Sequence, residues 1–177
     1  MSAPATTYPH TLAPRGSVDR PYADAVISAY QQSHPVDLMG IAGKFGINVF
    51  TADLGPNLSG LIRRDKMGGS SGYVILVNKD HPPNRQRFTI AHELAHFVLH
   101  CGRQDGEIRD DQFYRFLPGP LEREANELAA EILMPWTLIN RLTTAGVNDL
   151  ADLARELMVS RQALAIRLGI PYDQDWS

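Results

Sequence analysis

An α+β fold follows from three features of this sequence. Apolar residues recur at helical spacing over several segments, the run from Tyr73 to Asn78 is β-branched and almost wholly apolar, and two shorter strand-like runs precede it. The expected architecture is a small antiparallel sheet packed on helices, with a C-terminal helical tail resembling a helix-turn-helix. With 177 residues the chain suits one compact domain and a small appendage. The divisions expected are a flexible tail over 1–17, a main domain over 18–145 and a small helical subdomain over 146–177.

Taken in order, the first residues to Gly16 are rich in Ala, Thr and Pro and carry no signal-peptide-like apolar run. Ser17 to Gln32 places Tyr22, Ala25, Val26 and Tyr30 along one face of a helix. A second helix is expected from Pro35, with Leu38, Ile41 and Ala42 inward and Gly46 ending it. Ile47–Phe50 and Ser59–Ile62 read as short strands parted by the turn formers Gly55-Pro56-Asn57. The charged, glycine-rich stretch from Arg63 to Gly72 leads into the strong strand Tyr73–Asn78. It is not a phosphate loop, because it lacks a Gly-Lys-Ser/Thr ending and precedes a strand instead of opening a helix.

His81-Pro82-Pro83-Asn84 then breaks the chain, and Asn84 is the expected cap of the next helix, with Arg85 and Arg87 in its first turn. Gly102 to Gly119 reads as a long polar loop holding Tyr114. From Leu121, the residues Ala125, Leu128, Ala129, Ile132 and Leu133 form an apolar helical face that ends at Pro135. The tail offers two short helices, through Leu150, Leu153, Ala154 and Leu157 and then through Ala163, Leu164 and Leu168, with Ser160 capping the second.

The chemistry concentrates in His92-Glu93-Leu94-Ala95-His96. On a helix, residues four apart are offset by about 40° and rise about 6 Å, so the two imidazoles project side by side and can share one metal ion, with zinc expected. Glu93, about 100° from His92, stands beside such an ion as a base able to take a proton from water. A third ligand is sought among later acids, and the crowded helix start Glu122-Arg123-Glu124-Ala125-Asn126-Glu127 supplies candidates. Glu122 is preferred to Glu124, since it shares a face with Ala125, Asn126 and Ala129, whose alanines permit close helix approach. Asn126 is then placed to hold the far nitrogen of a ligating histidine. His100 lies roughly 12 Å along the axis from His92, too far to share the ion, and is left as a helix-end residue or a donor to substrate. Cys101, the single cysteine, excludes an intrachain disulfide and reads as a small buried or capping residue.

The segment Arg87 to His96, followed by Glu122-x-x-Ala125-Asn126-x-x-Ala129-Ala130-Glu131-Ile132-Leu133-Met134-Pro135, closely resembles the ImmA/IrrE-type metallopeptidases. Pro35-Val36-Asp37, Ile41-Ala42, Phe45-Gly46-Ile47, Ser59-Gly60-Leu61 and Val77-Asn78 extend the likeness, which runs from about residue 24 to 170. The resemblance implies a gluzincin-type zinc fold, so that 18–145 would be the zinc metallopeptidase domain, with His92, His96 and Glu122 matching the ligands and Glu93 the base. It also implies a bacterial or phage protein that cuts a helix-turn-helix repressor or antitoxin encoded nearby, thereby regulating transcription. Leu128 stands where many relatives have phenylalanine, and Ala95 where glycine is frequent. Both changes concern packing.

The oxyanion-stabilising or substrate-contacting group is left open among Tyr114, His100, Arg85 and Arg87. A net charge of −3 and a pI near 6.0 provide no global basic field for nucleic acid or an anionic membrane. No stretch approaches the ~20 apolar residues of a membrane span, and a cytoplasmic protein is expected. The rival function is a metal-dependent regulator acting by partner or DNA binding without proteolysis, through Arg161, Gln162 and Arg167 of the tail.

Overall fold

The computed structural model describes residues 18–101 and 119–171. The expected tail over 1–17, Tyr114 and all but the last residue of the Gly102 to Gly119 loop lie outside the described residues. In chain order the elements are α1 (Arg20–Tyr30), α2 (Leu38–Lys44), β1 (Asn48–Ala52), β2 (Gly60–Arg64), β3 (Tyr73–Asn78), α3 (Pro83–His100), α4 (Gly119–Leu133), α5 (Trp136–Thr144), α6 (Leu150–Leu157) and α7 (Arg161–Leu168). This is the α+β class expected.

The sheet is mixed, where the sequence suggested an antiparallel one. Its order is β1-β3-β2, with β1 parallel to β3 (Asn48 opposite Val74) and β2 antiparallel to it (Gly60 opposite Val77). The Gly55-Pro56-Asn57 segment does not close a hairpin. Instead the Asn78 side-chain amide donates to the carbonyls of Gly55 and Leu58 at 2.7 and 2.9 Å, tying the connection across the end of β3. The most apolar strand thereby takes the centre, where both of its edges are paired and Val74, Ile75 and Val77 are buried.

α2 starts three residues later than Pro35, because the Asp37 carboxylate accepts from the Gly40 N–H at 3.0 Å and caps it. α3 starts at Pro83 with Pro82 at its N-cap, so Asn84 is not the cap. Its Oδ1 accepts from the neighbouring Arg85 N–H, and the proline at the first position needs no capping of its own nitrogen. At the other end Cys101 is buried and occupies the C-cap, its N–H donating to the His96 carbonyl.

One face of α3 packs on the sheet. Gly60 makes this possible: a Cβ there would lie 2.4 Å from the Thr89 methyl and 2.7 Å from the Leu76 carbonyl, so β2 crosses α3 where a side chain does not fit. Phe97 fills the space between Phe45 and Tyr73, with ring centroids 6.1 and 5.4 Å away. Along another face, Ala91 and Ala95 of α3 and Ala125 and Ala129 of α4 are all fully buried. These small residues let the two helices run close together.

Pro135 ends α4 but also opens α5, which the sequence reading left unassigned; Leu138, Ile139 and Leu142 form its buried face. α6 is capped by Asp149 and α7 by Ser160, as expected for the latter, with Met158 in a left-handed conformation (φ 52°) between them. Leu153, Leu157, Val159 and Leu164 belong to the same apolar core as the residues of α3 and α4. Arg167 fastens this end to the body, donating to the Met134 carbonyl at 3.1 Å with its guanidinium over the Trp136 ring. No described helix is long and apolar enough to cross a membrane.

Candidate metal centre

Because α3 and α4 lie close, their polar residues meet at one end of the seam. His92 and His96 Nε2 are 2.9 Å apart, and the Glu122 carboxylate reaches both, at 3.3 Å from His92 and 3.2 Å from His96. Among the described residues these three are the group of histidine, cysteine and acidic side chains able to hold a metal ion. His96 is 2% exposed, whereas the Glu122 side chain, at 39%, remains open to solvent. The donors therefore have a protected floor and an accessible edge.

Burial lowers the pKa of His92 despite the opposing pull of Glu122, and burial with the neighbouring His92 and His100 brings His96 down to about 3. Both rings are thus neutral at pH 7, and their contacts with Glu122 are those of lone-pair donors around a common point, not salt bridges. This donor set fits a divalent ion. A tetrahedral zinc with ligands at 2.0–2.1 Å would separate them by roughly 3.3 Å, close to the spacings found.

The outer nitrogens are also engaged. His92 Nδ1 lies 3.0 Å from the Asn126 side-chain oxygen, the position the sequence assigned to Asn126. His96 Nδ1 lies 3.0 Å from His100 Nδ1, and His100 Nε2 lies 3.7 Å from Glu124. Phe88, one turn before His92, stacks on its ring with centroids 6.4 Å apart. Sequence reasoning missed Phe88 and the nitrogen engaged by His100; the four-residue spacing of Phe88, His92, His96 and His100 signals only that the four rings share a face.

Glu93 is 7% exposed, and its carboxyl is pushed up to about 8, first by burial and then by the charge of Glu122. The Ile62 backbone of β2 offers it a compensating hydrogen bond. The other candidates are placed differently. Arg87 donates to the Val36 carbonyl at 2.8 Å, with Asp37 as its charge neighbour, and Arg85 donates to the Ser59 hydroxyl. These arginines brace the start of α3 against the segments before α2 and β2.

The family model described as Peptidase M78, IrrE N-terminal-like domain, matches residues 42–169. The chain belongs to this family. Two curated relatives of this Peptidase M78 chain are radiation response metalloproteases IrrE. The Deinococcus radiodurans protein is 34% identical over 166 residues, covering 90% of this chain and 47% of its own length. That of Deinococcus deserti is 38% identical over 103 residues, covering 55% and 36%. The chain thus spans about half the length, or less, of these relatives. A solved Mycobacterium tuberculosis transcriptional regulator shares the fold, with a TM-score of 0.56 at 18% identity over 90% of this chain and 50% of that one. The family is named for a peptidase, and in this chain His92, His96 and Glu122 form a potential metal site.

Proposed function

We propose that this Peptidase M78 chain is a zinc-dependent endopeptidase that cuts a specific protein, a helix-turn-helix repressor or an antitoxin, to control gene expression in the cytoplasm. The observation that carries the reading is the meeting of three neutral or anionic donors from α3 and α4 beside a buried carboxyl on the same helix. Zinc held by His92, His96 and Glu122 would supply Lewis acidity, polarising a scissile carbonyl and making water more acidic. Glu93 is the proton carrier: its carboxylate takes a proton from the attacking water and passes it to the departing amine nitrogen. Its burial on α3 next to His92 fits that role, since a carboxyl shielded from bulk water exchanges its proton with the reacting groups. Asn126 holds the His92 ring with Nε2 turned inward.

The test is coexpression with a candidate transcription factor, comparing wild type with Glu93→Gln. The reading expects a defined cut product only with wild type, while both proteins retain zinc. Equal cutting by both would overturn it.

A second reading, regulation through DNA without proteolysis, has one observation in its favour: Arg161 and Gln162 lie exposed on α7. Arg167, the third residue of that set, is occupied by Met134 and Trp136. Retention on duplex DNA that falls steeply with salt would support this reading.

A further inference from the structure

We propose that His100, backed by Glu124, is a positioning residue that selects the metal-binding tautomer of His96. The inference rests on the metal site proposed above and extends it along α3.

Two ring nitrogens 3.0 Å apart hold one proton between them, so the His96 Nδ1–His100 Nδ1 contact has two forms. In one, His100 carries the proton on Nδ1. His96 is then protonated on Nε2, and that N–H points at His92 and Glu122, where it blocks a metal ion. In the other, His96 carries the proton on Nδ1 and donates it to His100, leaving the His96 Nε2 lone pair facing the other two donors. Only the second form ligates.

Glu124 distinguishes them. Its Oε2 lies 3.7 Å from His100 Nε2, beyond a good hydrogen bond but close enough to act by charge. When His96 donates, the other nitrogen of His100 carries its proton, and this N–H faces the carboxylate. When His100 donates instead, its Nε2 lone pair faces the same carboxylate and is repelled. The charge of Glu124 therefore favours the arrangement that turns the His96 lone pair inward, against the pull of Glu122, whose carboxylate 3.2 Å from His96 Nε2 favours a proton there until an ion occupies the site. His92 is served in the same way by the Asn126 oxygen 3.0 Å from its Nδ1. Glu122, Glu124 and Asn126 thus place a ligand and two supports within the first turns of α4, which gives Glu124 a role although Glu122 takes the ligand position.

The test measures zinc affinity by competition with a chromophoric chelator, and the His96 tautomer by nitrogen NMR of the metal-free protein. His100→Leu should weaken zinc binding by about 10- to 100-fold and move the proton of His96 away from Nδ1. His100→Asn, whose side-chain oxygen can stand where Nδ1 stood, should recover most of the loss. Glu124→Gln, a half-exposed change that leaves the core intact, should cost about two- to fivefold. Zinc affinity within twofold of wild type in both His100→Leu and Glu124→Gln, with the tautomer unchanged, would overturn the assignment. His92→Ala is the reference for the site itself: if it loses zinc while the His100 and Glu124 variants do not, only the positioning role fails. If it keeps zinc, the metal reading fails with it.

Discussion

Glu93 is the residue on which opposing demands are clearest. A carboxyl buried on the floor of the seam, near the charge of Glu122, is costly to ionise, and its pKa of about 8 expresses that cost. The sign follows from linkage. A folded-state pKa above the unfolded value of 4.5 means stability is full below about pH 4.5 and declines as pH rises toward 8. Metal-free Glu93→Gln should therefore be increasingly more stable than metal-free wild type between pH 5 and 8, reaching a difference of about 1 to 4 kcal/mol. Chemical denaturation of the two proteins at each pH checks this, and a constant difference would contradict it. The same substitution should abolish cleavage, so stability would be gained where function is lost. His92→Ala removes one of the three proposed donors and should lose both zinc and activity.

At the scale of elements, the site depends on how closely α4 approaches α3. Ala129 is fully buried in that seam, and Ala129→Leu should force the helices apart, costing about 1 to 3 kcal/mol. It should also weaken zinc binding, because Glu122 rides on the displaced helix; parallel denaturation and zinc titration measure the two effects. Much of this arrangement was legible from the residues. His92, His96 and Glu122 follow from helical spacing and from alanines at the contact, both local properties of the chain. The strand order was not legible, since Gly55-Pro56-Asn57 suits a hairpin turn equally well. Only the hydrogen bonds from Asn78, twenty or more residues away, turn it into a crossover around β3. α5 is illegible for a different reason: Pro135 signals the stop of α4, yet proline also suits the start of the helix that follows. The nitrogen engaged by His100 was hidden because spacing fixes a side chain's face and not its ring orientation.

For the molecule as a whole, the apolar core extends from α1 through the sheet to α7, so distant substitutions should be felt globally. Leu164 is fully buried, and Leu164→Ala should cost about 2 to 5 kcal/mol, with a matching shift in the thermal transition. Metal binding should act on the same equilibrium from the opposite end. Free zinc at about 100 times its Kd would add about 2.7 kcal/mol, raising Tm by roughly 5–10 °C, and chelation should reverse the rise. The central claim is that two imidazoles of α3 and one carboxylate of α4 grip a single divalent ion. Zinc titration of the metal-stripped protein and its Glu122→Gln variant tests it most directly. The account predicts one equivalent bound by wild type and at least a tenfold weaker affinity in the variant. Identical affinity in the two, or no stoichiometric binding by wild type, would contradict it.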